Sequence, residues 1–179
     1  LGENILESGH GLDISVRMGA GAFVCGEETA LINSVMGFRG QPRPRPPYPA
    51  VKGLWDHPTN INNVGTLAHI TTVFEMGADA YAKYGSEKSG GTKILCINGK
   101  VEKTGTIEVE MGTPLRTIIE DIIGAKDCKA ILIGGPAGGC IPSRLFDTPL
   151  DYETLGRLGS IMGSGSVVVV DEHNSMVDM

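Results

Sequence analysis

The sequence predicts a protein of mixed α and β structure, built in two parts, and three observations support this. Apolar residues alternate with polar ones in some segments, which indicates strands, and recur every three or four residues in others, which indicates helices. A polar run at 85–92 (GSEKSGGT) is typical of a domain boundary. With 41% hydrophobic residues, the 179-residue chain also has enough apolar side chains to bury a core.

The first part opens with a predicted strand and a short helix. Alternation over 12–18 predicts a half-buried strand. The segment 29–36 (TALINSVM) predicts a helix, because Glu27 and Glu28 stand at its positive end and Gly37 supplies a stop.

A proline-rich loop and a longer helix follow. Six of the ten prolines fall within 42–58. Because proline removes a backbone donor and fixes φ, the segment 38–60 is predicted to be an extended loop. Asn62 and Asn63 can cap a helix over 64–76, whose apolar residues are spread around most of its circumference and therefore predict a buried helix.

The second part has the pattern of a small sheet crossed by one helix. Its predicted elements are a strand over 93–97, a hairpin turn at Asn98-Gly99, a strand over 107–111, a helix over 113–123, and strands over 130–133 and 167–170. The helix carries apolar residues at helical spacing: Leu115, Ile118, Ile119, Ile122 and Ile123. A hairpin, a helix, a strand, an irregular crossing and a last strand together predict a β-grasp (ubiquitin-like) module.

Composition excludes several classes of function. A net charge of −6 argues against a nucleic-acid partner, and the longest aliphatic run, 167–170, is too short for membrane insertion. None of the four cysteines belongs to a C-x-x-C pair, so no metal site is predicted and iron and sulfide assays on this chain should be blank. Cys96 is predicted to be a core residue. The four histidines show no ligand or triad spacing, so no catalytic residue is assigned.

Two glycine runs fail the tests for phosphate-binding loops. The run 19–24 begins like a dinucleotide fingerprint but lacks its third glycine. The run 134–139 resembles a phosphate loop, but Cys140 stands where a lysine is required. Both are interpreted as structural turns.

The proline-rich loop is basic and follows the acidic pair directly. Arg39, Arg43, Arg45 and Lys52 fall in a stretch without acids. The arginines could simply pair with surface carboxylates. Alternatively, the stiff loop with its one aromatic residue, Tyr48, could flank a pocket for an anionic aromatic ligand, since guanidinium groups suit phosphate and a ring face suits adenine.

The acidic pair and the asparagine pair allow two interpretations each. Glu27 and Glu28 could only complement the helix dipole, or they could accept hydrogen bonds from the hydroxyl or carboxamide groups of a cofactor. Asn62 and Asn63 could be only a helix cap, or they could present their amides to a ring edge.

At these residues the sequence resembles the NADH-binding flavoprotein subunit of respiratory complex I. The long motifs are GAGAFVCGEETALINSVMGFRGQPRPRPPYPAVKGLW and PTNINNVGTLA, and the similarity continues through VEMGTPLR, GGPAGGCIP, DTPLDYETL and GSIMGSGSVVVVDEHNSMVDM. It covers nearly the whole chain and is strongest to the soluble branch of the family, in NAD(P)-linked iron-only hydrogenases and related formate dehydrogenases.

The resemblance implies a partial FMN-binding α/β domain followed by a β-grasp domain. The implied limits are 1–88 for the end of the FMN and NADH domain and 89–179 for the soluble-ligand-binding β-grasp domain with the start of a linker. A helical domain with a [4Fe–4S] cluster is implied beyond this chain, and a phosphate-binding loop before it. This chain alone is therefore expected to bind FMN weakly or not at all.

The implied activity is that of an FMN-dependent NAD(P)H dehydrogenase, which moves hydride to FMN and electrons to iron–sulfur centres. The residues implied to contact FMN are Gly26, Glu27, Glu28, Ile61, Asn62, Asn63 and Thr66. Those implied to contact NADH are Phe23, Glu28, Tyr48 and Pro49. Tyr48 replaces a phenylalanine that stacks on adenine in the family, and Phe23 replaces a tyrosine, which removes one hydroxyl contact.

The resemblance also implies partners and a location. The partners are NAD(P)H and the iron–sulfur subunits of a multi-subunit electron-transfer complex, and the location is cytoplasmic, at most peripheral to the cytoplasmic face of a membrane complex. A different hypothesis stays open, in which the chain acts only as a β-grasp module that binds a ligand or another protein without catalysis.

Overall fold

The computed structural model describes residues 2–19 and 21–177. The chain divides into two compact units, 1–67 and 68–179, and each is described by itself. The first unit is helical and irregular, whereas the second contains a five-stranded sheet. The domain limits 1–88 and 89–179 remain a prediction.

Helix α1 (Glu28–Val35) confirms the helix predicted in the first unit. Glu27 precedes it in extended backbone as the N-cap, and Gly37 follows the helix at φ 84°. Ala30 and Ile32 are buried and give the helix its inner face. Three short 3-10 turns complete the regular structure before residue 64: Ile5–Glu7, Phe23–Gly26 and Leu54–Asp56.

The strand predicted over 12–18 is wrong. Leu12 forms an isolated antiparallel bridge with Gly2, and Val16 and Met18 are 89% and 96% exposed. Alternation marks a segment that could line one face of a sheet, but a strand forms only where a neighbouring strand completes its hydrogen-bond ladder. Among the described residues of the first unit, none belongs to such a neighbour.

Helix α2 (Val64–Met76) has the predicted limits but not the predicted burial. The Asn63 Oδ1 accepts a hydrogen bond of 2.8 Å from the N–H of Gly65, and Gly77 at φ 85° ends the helix. All 13 residues of α2 are described and none is buried, with Phe74 85% exposed. Apolar residues on every side require packing partners on every side, which the described chain does not supply.

The second unit confirms the predicted β-grasp architecture. Its sheet has the order β2-β1-β5-β3-β4, in which β1 and β5 are parallel and the other neighbours are antiparallel. The strands are β1 (Thr92–Gly99), β2 (Gly105–Glu110), β3 (Cys128–Ile133), β4 (Gly139–Pro142) and β5 (Ser166–Asp171). The helical elements after α2 are α3 (Ala78–Tyr81), a π-helical segment (Thr117–Ile122), α4 (Tyr152–Arg157) and two 3-10 turns (Gly135–Ala137 and Ser143–Leu145). Strand β4 lies in the region predicted only as an irregular crossing.

One face of the sheet packs on the helical elements to form the core. Its buried apolar residues include Leu95, Ile97, Val109, Ile118, Ile119, Ile131, Phe146, Leu155, Val167 and Val169. Because side chains alternate along a strand, the two buried neighbours of Cys96 place that residue on the opposite face, where it is exposed. The prediction of Cys96 as a core residue is therefore wrong.

The predicted hairpin turn at Asn98-Gly99 is also wrong, since both residues belong to β1. They pair in parallel with Val168 and Val169 of β5, and the chain reverses later, over 100–104. Gly99 has φ 93°, and a side chain at this position would meet the backbone of Val169. This glycine permits close strand approach instead of making a turn.

The helix predicted over 113–123 is wound differently from the prediction. Ile118 and Ile119 are buried as expected, but the segment Thr117–Ile122 is π-helical and Ile122 is 52% exposed. The wider winding moves Ile122 off the apolar face that a 3.6-residue period predicts.

The glycine run 134–139 is a structural turn, as predicted. It joins the antiparallel strands β3 and β4, and Gly134 adopts φ 96° within it. The run 19–24 includes a residue outside the described ranges, and its described end enters the 3-10 turn Phe23–Gly26.

The environments of the cysteines predict different reaction rates with alkylating reagents. Cys96 and Cys140 are exposed, whereas burial raises the pKa of the Cys128 thiol and lowers its thiolate fraction. We expect iodoacetamide at pH 8 to modify Cys96 and Cys140 roughly tenfold faster than Cys128. A time course analysed by peptide mass spectrometry measures this, and equal rates for Cys128 and Cys96 would contradict the assigned burial.

Candidate cofactor-binding site

The predicted site centres on the first turn of α1. The Glu27 carboxylate accepts hydrogen bonds of 2.9 Å from the backbone N–H groups of Thr29 and Ala30, and one more from the Thr29 hydroxyl. The Thr29 hydroxyl is the main cause of a lowered pKa at Glu27, and the two backbone donors and Arg45 act in the same direction against burial. One Glu27 oxygen is thus fully engaged in capping the helix.

The lowered pKa of Glu27 predicts a pH-dependent stability of the first unit. The carboxylate stabilises this unit fully above its ordinary pKa near 4.5, and the contribution is lost as pH falls through the lower folded value. We expect Glu27→Ala to cost about 1 kcal/mol at pH 7, with a difference from wild type that shrinks toward pH 3. Urea unfolding followed by the fluorescence of Trp55, the one tryptophan of the sequence, measures the stability of the first unit.

The matched variant Glu27→Gln keeps an acceptor but removes the charge. It should retain part of the cap and show a weaker pH dependence than wild type. A Glu27→Ala effect that stays constant from pH 7 to pH 3 would contradict the charged cap.

The basic loop contacts the acidic pair through Arg45. Its guanidinium donates a hydrogen bond to Glu28 Oε1, and a second guanidinium nitrogen lies 3.9 Å from Glu27 Oε1. The side chains of Arg45 and Glu28 are 43% and 35% exposed, so water screens this pair and it contributes at most about 1 kcal/mol. Of the two interpretations of the basic loop, the structure shows the pairing with a surface carboxylate for Arg45. A pair this weak is also one that a ligand can displace.

A small cavity lies between α1 and the loop, and two basic side chains and one acidic side chain line it. It has a volume of about 160 Å³, with Thr29 on the helix side and Arg43, Pro49 and Lys52 among the loop residues that line it. The backbone N–H of Arg43 donates to the Thr29 hydroxyl over 2.8 Å, which fastens the loop to the helix. Lys52 lies 3.4 Å from the carboxylate of Asp56.

The remaining loop is held in shape by its backbone, which confirms an irregular, extended segment. The N–H groups of Val51 and Lys52 donate to the carbonyl of Tyr48 over 2.8 and 2.9 Å, and that of Thr59 donates to Pro49 over 2.9 Å. Pro49 is buried, whereas the ring of Tyr48 is mostly exposed and available for stacking. The anionic aromatic ligand predicted for this loop remains a prediction.

The other predicted site residues lie on two further segments. Phe23 and Gly26 are exposed in the 3-10 turn before α1, and no described atom within 4 Å would meet a side chain added at Gly26. Ile61 is half-buried, and Asn62, Asn63 and Thr66 are exposed at the start of α2. The Asn63 hydrogen bond to Gly65 supports the capping interpretation for this residue. Among the described residues, no hydrogen bond or ion pair joins the segments 23–28 and 61–66.

Thr29 and Arg45 contact the predicted site residues, although the sequence named Arg45 only as one of four basic loop residues and did not point to Thr29. Thr29 is buried and serves both Glu27 and the backbone of Arg43, so it ties together the helix cap and the loop. The signal for Arg45 was present in the contrast between the acidic pair and the acid-free loop, but a charge contrast does not say which arginine reaches the acids.

Neither a metal-binding cluster nor a membrane-spanning helix occurs in the part of the chain that the structure describes. Among these residues, no group of three or more His, Cys, Asp or Glu side chains is placed to hold a metal ion. No helix in the described ranges is long and apolar enough to cross a membrane.

Comparison with known proteins finds a family that the first part of the chain is similar to. Residues 2–72 match a family model described as the Nuo51 FMN-binding domain, and this range contains every predicted site residue. The resemblance to the complex I flavoprotein family is confirmed. Strong similarity to relatives of this family then extends over the second unit.

Two curated relatives of the flavoprotein family align over almost the whole chain. NADP-reducing hydrogenase subunit HndC of Solidesulfovibrio fructosivorans is 49% identical over 183 residues, covering 100% of this chain and 37% of the relative. An NADH-quinone oxidoreductase subunit of Aquifex aeolicus (strain VF5) is 44% identical over 182 residues, covering 99% of this chain and 41% of that relative. The chain thus spans well under half the length of these relatives.

A solved structure shows the same fold. The structure of NAD+-reducing [NiFe]-hydrogenase in the H2-reduced state matches with a TM-score of 0.82 and 34% identity, covering 92% of this chain and 28% of that one. The α+β fold class predicted from the sequence is confirmed.

Proposed function

We propose that this chain is part of an FMN-dependent NAD(P)H dehydrogenase subunit. In the intact protein, hydride would pass from NAD(P)H to FMN, and electrons would pass on to iron–sulfur centres. The observation that carries the proposal is the match of residues 2–72 to an FMN-binding domain, in which the acidic pair of α1 lies in contact with a basic loop. The names of the relatives, a subunit of an NADP-reducing hydrogenase and a subunit of an NADH-quinone oxidoreductase, support the nicotinamide nucleotide.

The described residues fit a flat, polar cofactor at three places. The open space at Gly26 allows a ligand to approach the backbone closely. Asn62 and Thr66 are exposed, so their polar groups can face a ring edge. Glu28 is held only by an exposed ion pair, so its carboxylate is free to accept hydrogen bonds from a ligand.

We assign the residue roles accordingly. Flavin contacts are proposed for Gly26, Glu27, Glu28, Ile61, Asn62, Asn63 and Thr66, and nucleotide contacts for Phe23, Glu28, Tyr48 and Pro49. Glu27 can contribute its Oε1 alone, because the other oxygen caps α1. The exposed Tyr48 ring is suited to stacking on adenine.

The flavin supplies the chemistry of the reaction when bound, since it accepts two electrons as hydride and releases them singly. The role of this chain is to orient the two ligands and to determine the electrostatic environment around them. Glu28 would hold the nucleotide through hydroxyl or amide donors, and Arg39 and Arg43 of the loop would balance its phosphate charge.

We further propose that the intact subunit works beside iron–sulfur subunits of an electron-transfer complex, in the cytoplasm. The support is that both relatives are named as subunits of larger enzymes. A [4Fe–4S] cluster is proposed for a part of the protein outside this chain.

The test is flavin analysis of the full-length polypeptide that contains this chain, followed by anaerobic titration with NADH and NADPH. We expect one extractable FMN per polypeptide and bleaching of its visible absorbance by one of the two nucleotides. A polypeptide that takes up no flavin and does not respond to either nucleotide would refute the proposal and favour a β-grasp module without catalysis.

A further inference from the structure

A groove opens on the second unit between the β1–β2 connection and the end of the π-helical segment. It has a volume of about 440 Å³, within the range of about 300–1,000 Å³ that is typical of small-molecule sites. Its apolar wall consists of four isoleucines: Ile97, Ile107, Ile122 and Ile123. Ile122 is 52% exposed and Ile107 and Ile123 are half-buried, so these three offer apolar surface to a ligand, whereas Ile97 is buried.

The winding of the π-helical segment creates this wall. The N–H of Ile123 donates to the carbonyl of Ile118 over 3.0 Å, five residues back, and that of Ala125 donates to Ile119 over 2.9 Å. An α-helical winding would keep Ile122 with the core residues, whereas here it is 52% exposed and lines the groove. Turns of π-helix occur frequently at functional sites.

The polar side of the groove carries one lysine and one glutamate, and further lysines lie in the cavity next to it. Lys103 lines the groove, and the neighbouring cavity of about 310 Å³ is lined by Lys100 and Lys126. Glu102 borders both cavities and is the one carboxylate among the residues that line them. Glu120 of the π-helical segment is engaged by Arg116 at 2.6 Å. Taken together, the groove and the cavity next to it are lined by three ammonium groups and one carboxylate.

We propose that this groove binds a small amphipathic carboxylate. Its apolar chain or ring would lie on the three accessible isoleucines, and its carboxylate would face Lys103 and Lys126. A phosphate is less well matched, because no arginine fork lines the described groove. All lining residues fall within 97–126, in the second unit, whereas those of the proposed flavin site fall within 23–66, in the first.

The test uses photolabelling of the full-length polypeptide with decanoic acid that carries a diazirine, with the methyl ester as the neutral comparator. After irradiation, peptide mass spectrometry should locate saturable labelling in the segments 97–107 and 120–126. The ester should label these segments roughly fivefold less, since it lacks the charge. Equal labelling by acid and ester, or saturable labelling confined to other segments, would overturn the proposal.

Two variants separate the apolar wall from the charges. Ile122→Glu should remove the groove label, and because Ile122 is already half exposed the fold should tolerate the change. Lys103→Glu combined with Lys126→Glu should lower the label to the level of the ester. The matched control is Lys88→Glu, at an exposed lysine outside the groove, which should label like wild type.

Thermal unfolding of each variant checks that the fold is intact. If Ile122→Glu does not fold, the lysine variant decides the question. A double lysine variant that folds and labels like Lys88→Glu would refute the role of the charges and with it the proposed carboxylate.

Discussion

Gly99→Ala is expected to destabilise the second unit by at least about 3 kcal/mol. A Cβ at this position would overlap the Val169 carbonyl and lie 2.7 Å from the Val169 nitrogen, and the backbone has φ 93°. Strand β1 could relieve this overlap only by giving up its parallel pairing with β5, which lies at the centre of the sheet. Far-UV circular dichroism of the 179-residue chain should show the loss as a melting temperature lower by roughly 12 °C or more.

The matched control is Gly156→Ala in α4. No described atom lies within 4 Å of a Cβ added there, so the helix should gain up to about 1 kcal/mol from the better propensity of alanine. Trp55 lies in the first unit, and its fluorescence transition should be unchanged in both variants if the units unfold separately. A Gly99→Ala chain as stable as wild type would show that β1 and β5 do not approach as described.

Glu28→Ala is expected to weaken nucleotide use by the full-length protein roughly ten- to a hundredfold while it retains its flavin. The reason is the loss of a charge-assisted hydrogen bond to the nucleotide, which contributes about 1.5–3 kcal/mol. The competing effect, loss of the Arg45 ion pair, is smaller because both side chains are substantially exposed. The measurements are KM for NADH and NADPH together with the FMN content of the purified variant.

Arg45→Ala distinguishes the two possible roles of Glu28. If Glu28 only holds the loop in place, both variants should raise KM equally, because each removes the same ion pair. If Glu28 contacts the nucleotide, its variant should have the larger effect. Glu87→Ala, at an exposed acid of the second unit, serves as the surface control. Wild-type NADH kinetics with full flavin content in Glu28→Ala would refute the assignment.

Local signals in the sequence predicted the elements that depend on neighbouring residues. The acidic residue before α1 and the glycine after it determine both ends of that helix, and the structure shows both interactions. The limits of α2 were predicted for the same reason, since Asn63 and Gly77 act within one turn of the helix.

Properties that depend on distant residues could not be predicted this way. Asn98-Gly99 has the composition of a hairpin turn, but pairing with β5 extends β1 through both residues. The sequence of α2 shows apolar residues without showing what covers them, so its exposure was not predictable. The π-helical winding likewise leaves the spacing of the isoleucines unchanged while it alters which of them reach the core.

In the candidate site, too, the sequence predicted the features set by neighbouring residues but not the contacts that depend on distant ones. The acidic pair and the basic loop were predicted as neighbours in sequence, and Glu27 was predicted at the helix start. The choice of Arg45 as the contacting arginine, and of Thr29 as the link between helix and loop, depends on the path of a proline-rich segment that has no periodic pattern.

The position of β5 determines when the second unit can fold during synthesis. This strand is the last of the five in sequence but lies between β1 and β3, and Gly99 pairs with Val169, 70 residues further along the chain. Closing so long a segment costs entropy before the sheet gives any stabilisation, so folding should be slow for a chain of this size. While the ribosome is still adding residues before 166, the β1–β2 hairpin cannot complete its core and exposes Leu95, Ile97 and Val109. We therefore expect nascent chains at this stage to be prone to aggregation through these apolar strands.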